Sequence, residues 1–132
     1  MKIEVITPEK KIFEEENIKR VILPLTTGEK EILHSHVSYI AQLGDGIIEV
    51  ERDDETKSYL TVFGGFVEVL NDNVKIVAFV SERKEDIDKM RALEAKERAE
   101  KRLKEVKDNI DIERAKKALK RAEIRLKILD LE

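Results

Sequence analysis

The 132-residue chain is long enough for one domain with an appendage, and its near-neutral charge of -3 gives no electrostatic reason to expect nucleic acid. It contains no cysteine, which excludes disulfides, thiolate nucleophiles and cysteine-ligated metals. No apolar run approaches the roughly 20 residues of a membrane-spanning helix, and the first residues alternate unlike a signal peptide, so we expect an intracellular protein.

The composition changes abruptly after Ser81. All five glycines and both prolines precede this point. The remainder is dominated by charge, because 17 basic and 14 acidic residues follow and give this part a formal charge of +3. We therefore predict two domains, at residues 1–81 and 82–132.

The first domain has the pattern of short strands. Alternating and β-branched stretches predict strands at residues 2–7, 17–25, 46–52, 57–63, 66–70 and 74–80. Glycine-rich segments between them predict turns at residues 44–46 and, as a tight turn or bulge, at residues 64–65. Many short strands without a helical period indicate an antiparallel β-sandwich or barrel.

The second domain has the pattern of two helices. Residues recur at three- and four-residue spacings on two faces, which are formed by Asp88, Ala92, Ala95, Ala99 and Val106 and by Ala115, Ala118, Ala122, Leu126 and Leu129. Asp108 and Asn109 separate the two faces, and either side chain can cap the second helix. The pattern predicts an antiparallel two-helix hairpin and hence an α+β fold. Because alanine buries little area, this seam is weakly held and the hairpin can open.

The chain shows no catalytic constellation. His34 and His36 are its only histidines, and they lack a third metal ligand nearby. Ser35 and Ser38 lie beside them without an oxyanion loop or a nucleophile elbow. We therefore predict a protein that is not an enzyme.

Arginines border both helical faces. On a helical wheel, Arg91 and Arg98 share one edge of the first face, and Arg114, Arg121 and Arg125 share one edge of the second. A closed hairpin would gather guanidinium groups, which suit phosphate, around Asp88, which can accept from an adenine amine. The alternative is a solvated pair of helices with ion pairs such as Glu94 with Arg98, and composition alone favours it.

Three stretches of the sequence limit the possible functions further. They are Leu23-Pro24-Leu25-Thr26-Thr27-Gly28-Glu29, Gly64-Gly65-Phe66-Val67-Glu68-Val69 and Ile87-Asp88-Lys89-Met90-Arg91-Ala92. They resemble, in the right order along nearly the whole chain, the epsilon subunit family of bacterial F-type ATP synthases. The resemblance implies a peripheral protein on the cytoplasmic face of the inner membrane. Its sandwich would bind the gamma subunit and the c-subunit ring, and its hairpin would extend toward the alpha and beta subunits to restrain ATP hydrolysis.

The resemblance also implies site residues. It assigns ATP binding, which favours the folded hairpin, to Glu82, Ile87, Asp88, Arg91, Ala92, Arg98, Arg121 and Arg125. ATP would be a regulatory ligand, and no cofactor would be obligatory. A rotor-contact loop would include Glu31, His34, His36 and Ser38, although residues 31–34 depart from the family's usual glycine-isoleucine-leucine-proline. A free-standing adenine-nucleotide sensor without a motor is the alternative function.

Overall fold

The computed structural model describes residues 1–35, 38–105 and 108–132, which form a β-domain followed by two helices. The strands are β1 (Lys2–Ile6), β2 (Lys11–Glu15), β3 (Ile18–Leu25), β4 (Gly28–Leu33), β5 (Tyr39–Arg52), β6 (Lys57–Leu70), β7 (Asn73–Ala78) and β8 (Ser81–Arg83). A 3-10 turn (Lys84–Asp86) leads into helix α1 (Lys89–Glu105), and helix α2 (Asn109–Leu129) follows.

The eight strands form one folded-over sheet in the order β2-β1-β7-β6-β5-β3-β4, with β8 paired to β6. The predicted sandwich and helical hairpin are confirmed. The pairings are antiparallel except that between β1 and β7, which is parallel and makes the sheet mixed. The parallel pair arises because the chain crosses the whole sandwich between these two strands before returning beside β1.

Two glycine segments lie inside strands, so the turns predicted there are wrong. Residues 44–46 belong to β5 and residues 64–65 to β6, and each of these strands is 14 residues long. The pairing of β5 with β6 continues in one register through both segments. Gly65 has φ 141°, and a Cβ there would lie 2.2 Å from the Val77 carbonyl oxygen. Gly65 therefore allows the backbone of β6 to lie close to β7 without ending the strand.

Strands β2, β4 and β8 were not among the predicted strands. The first two are edge strands, since each pairs with a single neighbour at one end of the sheet order. Edge strands need fewer apolar residues and often carry charge, which explains the lysines and glutamates of β2 and β4. β8 has only three residues. It also spans the predicted division between residues 81 and 82, so the domain boundary stays a prediction.

The main core lies between the two halves of the sandwich. Its residues alternate with exposed ones, as in β7, where every second side chain is buried. Fully buried members include Ile3, Leu23, Ile48, Leu60 and Ile76. All members of this core among the described residues come from the β-domain and none from a helix.

The two helices pack along small residues. Ala92, Ala99, Ala115 and Ala122 are buried, as the predicted faces require. Ala118 is exposed, so its predicted place on the second face is wrong. A seven-residue step returns to within about 20° of the same face, whereas the three-residue step to Ala118 turns about 60° away. Val106 lies outside the described residues.

The second helix begins at the predicted break. The Asp108 carboxylate accepts a hydrogen bond from the Ile110 amide at 2.9 Å, which confirms the predicted cap. Within the described residues, neither helix is both long enough and apolar enough to cross a bilayer.

A second, smaller core joins the hairpin to the sandwich. Tyr59, Ile87 and Ile128 are buried together, with partly buried Ile47, Leu129 and Leu131 around them. The Tyr59 hydroxyl donates to the Glu132 carbonyl at 2.9 Å, and Lys84 donates to the Leu131 carbonyl. The hairpin is therefore docked through the end of α2, in the compact arrangement.

Candidate functional site

A cavity of about 510 Å³ opens where the start of α1 meets β8 and α2. Its lining residues are Glu82, Asp86, Ile87, Asp88, Arg91, Ala92, Glu94, Ala95, Arg98 and Arg125. Every residue predicted for the nucleotide site except Arg121 is among them. The structure thus brings together residues from both helices and from the last strand.

Asp88 starts the first helix of the site. Its carboxylate accepts a hydrogen bond from the Arg91 amide at 3.2 Å, and its carbonyl accepts one from the Ala92 amide at 3.1 Å. These contacts are those of a helix N-cap. The cap fixes the Asp88 carboxylate at the cavity wall and leaves its second oxygen for another donor. This local role was not foreseen from the sequence.

The arginines of the cavity differ in their partners. Arg125 donates from Nε to Glu82 Oε1 at 2.7 Å, and both side chains are about two-thirds buried. Arg91 and Arg98 are exposed, and within residues 1–35, 38–105 and 108–132 neither side chain has an ion-pair partner. The Glu94–Arg98 ion pair of the alternative interpretation is not formed in that part of the chain. Two guanidinium groups without an ion-pair partner among the described residues therefore border the cavity, together with the carboxylates of its lining.

Arg121 lies one turn before Arg125 and outside the cavity. Its Nε is 3.9 Å from Asp45 Oδ2, and its guanidinium carbon is 5.2 Å from the centroid of the Phe63 ring. The guanidinium carbon of Arg125 lies 4.8 Å from the same centroid. Because successive turns of α2 climb along the sheet, Arg121 faces β5 while Arg125 reaches the cavity rim. The structure therefore does not gather Arg121 with the other predicted site residues.

Phe63 was not predicted to belong to the site. It is 1% exposed, and Arg121 and Arg125 of α2 lie over its ring. Its place in an apolar stretch of β6 indicates a core residue, and no local motif reveals that a helix from the far end of the chain covers it. Asp45, its register partner on β5, was missed for the same reason.

The residues of the predicted rotor-contact loop lie near one end of the sandwich. Glu31 is on β4 and pairs with Arg20 at 3.3 Å, while His34 and Ser38 are exposed. His36 lies outside the described residues. The Ser35 amide donates to Asp72 Oδ1 at 2.7 Å, which ties this segment to the turn between β6 and β7.

An apolar face is exposed on strands β5, β6 and β7 and the residue that follows β7. Phe66 and Val77 are register partners on β6 and β7, and they are 48% and 40% exposed. Phe79, at 59%, packs edge-on against Phe66 with ring centroids 6.3 Å apart. Ile40 on β5 is 72% exposed. Contiguous exposed apolar side chains of this kind mark an interaction surface.

Two family models cover the chain. Residues 1–84 match "ATP synthase, Delta/Epsilon chain, beta-sandwich domain" and residues 85–130 match "ATP synthase, Delta/Epsilon chain, long alpha-helix domain". The chain belongs to the ATP synthase epsilon chain family. These matches agree with the resemblance found in the sequence.

Relatives of this family extend over most of the chain. The ATP synthase epsilon chain of Symbiobacterium thermophilum is 40% identical over 105 residues, which are 80% of this chain and 75% of that one. The epsilon chain of Ligilactobacillus salivarius is 41% identical over 103 residues, 78% of this chain and 73% of that one.

Solved structures show the same fold. A chain in the cryo-EM structure of the Euglena gracilis mitochondrial ATP synthase, OSCP/F1/c-ring, superposes with a TM-score of 0.83 at 24% identity. The match covers 96% of this chain and 79% of that one. A chain in the Tetrahymena thermophila mitochondrial ATP synthase central stalk/c-ring structure has a TM-score of 0.66 at 15% identity and covers 98% and 96%.

Proposed function

We propose that this member of the ATP synthase epsilon chain family is a non-catalytic subunit of the central stalk, whose hairpin regulates ATP hydrolysis in response to ATP. Family membership supports the assignment to the F-type ATP synthase. The cavity between hairpin and sandwich supports the response to a nucleotide.

The observation that carries the nucleotide proposal is the set of arginines at the cavity. Arg91 and Arg98 border it without ion-pair partners among the described residues, and Arg125 faces it from α2. Guanidinium groups bind phosphate through paired donors. Asp88, held as a helix cap, keeps an oxygen that can accept from an adenine amine. The volume of about 510 Å³ lies within the range of small-molecule sites.

ATP would act by stabilising the compact hairpin. The cavity is lined from both helices and from β8, so it exists in full only while the hairpin is closed and docked. A ligand at a hundred times its dissociation constant stabilises the state that binds it by about 2.7 kcal/mol. The hairpin is docked by the small apolar cluster around Tyr59, Ile87 and Ile128 and by the contacts of Arg121 and Arg125 with the sheet. That amount of binding energy shifts the ratio of the two hairpin states about a hundredfold toward the compact one.

We propose the binding partners of the chain from its exposed surfaces. The apolar face around Phe66 and Phe79 would bind the gamma subunit, and the end that carries Glu31, His34 and Ser38 would face the c ring. The extended hairpin would reach the alpha and beta subunits, on the cytoplasmic face of the membrane. We expect a stable complex with a gamma subunit on co-purification, whereas a chain that binds ATP but never associates with gamma would favour the free-standing sensor.

Calorimetric titration of ATP into the full chain tests the nucleotide proposal. Arg98→Gln removes a guanidinium from the cavity and should weaken ATP binding about tenfold or more, since a charge-assisted hydrogen bond is lost. Arg102→Gln is the matched control, because Arg102 is an exposed arginine on the same helix but outside the cavity lining. It should change the affinity less than about twofold. Equal affinities of the two variants would contradict the site.

A further inference from the structure

Two of the three arginines of α2, Arg121 and Arg125, lie over the same aromatic ring of the sheet. Phe63 on β6 is 1% exposed, and the guanidinium carbons of Arg121 and Arg125 lie 5.2 and 4.8 Å from its ring centroid. Cations within about 6 Å of a ring centroid are attracted by the negative face of the ring. One buried ring therefore holds two positive side chains that would otherwise repel each other.

Two carboxylates complete this arrangement. Asp45 is the register partner of Phe63 on β5, and its Oδ2 lies 3.9 Å from Arg121 Nε. Glu82 is the register partner of Thr61, two residues before Phe63 on the same strand face, and it accepts from Arg125 at 2.7 Å. Each arginine thus touches the ring and one carboxylate, and the three sheet residues lie on three different strands.

We propose that Phe63 is a positioning residue for the nucleotide site: its ring orients Arg125 at the cavity rim and holds Arg121 beside it. This inference rests on the proposed nucleotide function. A long arginine side chain loses much rotamer freedom when it binds a phosphate, and a side chain that is already ordered loses less. The ring supplies this order without neutralising the charge, whereas a carboxylate alone would compete with the phosphate.

The arrangement also makes the nucleotide site composite. Arg125 comes from the hairpin, and the ring that orients it comes from the sandwich. Nucleotide affinity would therefore report directly whether α2 is docked on β6. An undocked hairpin would lose the ring and, with it, the oriented Arg125.

Ring fluorination tests this role with little change of shape. Phenylalanine carrying one, two or three ring fluorines is placed at position 63 of the full chain, and the dissociation constant for ATP is measured by calorimetry. Each fluorine weakens the negative face of the ring, so binding should weaken stepwise, by about tenfold with three fluorines. Fluorine also makes the ring more hydrophobic, so a purely packing role would leave affinity unchanged or improve it.

The same series at Phe66 is the control. Phe66 is on the same strand but 48% exposed, and among the described residues no guanidinium lies over its ring. Fluorination there should leave ATP affinity unchanged. If the wild-type chain binds ATP and the series at position 63 is flat, the positioning role is wrong and the nucleotide site stands. If the wild-type chain binds no ATP, both are wrong.

Discussion

Arg125 on α2 and Glu82 on β8 form an ion pair of 2.7 Å at the rim of the cavity. It joins two residues predicted for the nucleotide site, one on the hairpin and one on the last strand. Because both side chains are about two-thirds buried, the pair is screened less than a surface ion pair. It therefore links the docking of the hairpin to the chemistry of the proposed site.

A double-mutant cycle measures how much this pair contributes to stability. Glu82→Gln, Arg125→Gln and the double variant should give a coupling of about 1 kcal/mol in the free energy of unfolding, measured by denaturant titration. The Glu113–Lys116 pair on α2 is the control, since its atoms are 3.7 Å apart and both side chains are more than 60% exposed. Its coupling should be below about 0.5 kcal/mol. Equal couplings would show that the partial burial of the first pair has no energetic effect.

The small residues of the hairpin can be tested by enlarging them. Ala122 is 0% exposed, so Ala122→Leu should overpack its surroundings and lower the free energy of unfolding by about 1–3 kcal/mol. Ala118→Leu is the matched change at an exposed position of the same helix and should stay within about 0.5 kcal/mol of wild type. A larger loss in the Ala118 variant would contradict the observed orientation of α2.

The close backbone contact between β6 and β7 depends on Gly65. Gly65→Ala places a Cβ 2.2 Å from a backbone oxygen at a φ of 141°, so we expect a loss of about 3 kcal/mol or more, or failure to fold. Gly28→Ala is the control that introduces backbone strain without a steric clash. The φ of Gly28 is 128°, but nothing lies within 4 Å of the added Cβ. Its cost should be about 1–2 kcal/mol. Thermal or denaturant unfolding gives both values, and similar losses would argue against close packing at Gly65.

The free energy of unfolding should depend on pH through Tyr59, which holds the segment after α2. Burial, and secondly the nearby charge of Glu49, raise the pKa of Tyr59 above its ordinary 10.0. The unfolded chain therefore releases this proton first, so stability is full below about pH 10 and falls as pH rises toward the folded-state pKa. Tyr59→Phe should be about 1 kcal/mol less stable at pH 8, because it lacks the bond to the Glu132 carbonyl.

The difference between wild type and Tyr59→Phe should narrow above pH 10, since only the wild type carries this ionisation. Unfolding free energies from pH 8 to pH 11 provide the measurement. Lysines titrate in the same range but do so in both proteins, so they cancel in the comparison. A constant difference across the range would contradict the raised pKa.

The sequence predicted the β-domain and the helical hairpin because each has a strong periodicity of apolar residues. Alternation along β7 and three- and four-residue spacing along α1 are local signals, and both elements formed as predicted. The glycine segments were misassigned for an equally local reason. Glycine marks turns and also marks bends inside strands, and only the pairing of β5 with β6 distinguishes the two.

The residues of the candidate site also differ in whether a local sequence signal could predict them. Asp88, Arg91 and Arg98 follow from spacing on one helix, and they line one cavity. Arg121 was grouped with Arg125 because they share a helix face, but the sheet beneath the helix directs them to different carboxylates. Phe63 could not be predicted, since its role depends on a contact with residues about 60 positions later in the chain.

ATP bound between the helices and the sandwich should favour the compact hairpin. The chain has no cysteine, so spin labels can be attached at Glu9→Cys in the sandwich and Lys117→Cys on α2. Distances between them are measured in the assembled motor complex by electron spin resonance, with and without ATP. Arg98→Gln in the same labelled chain controls for ATP that acts through the catalytic subunits.

We predict a second, longer distance in the absence of ATP and the compact distance alone at saturating ATP, with Arg98→Gln requiring about tenfold more ATP for the same change. Distance distributions that do not respond to ATP, or that respond equally with and without Arg98, would contradict the account.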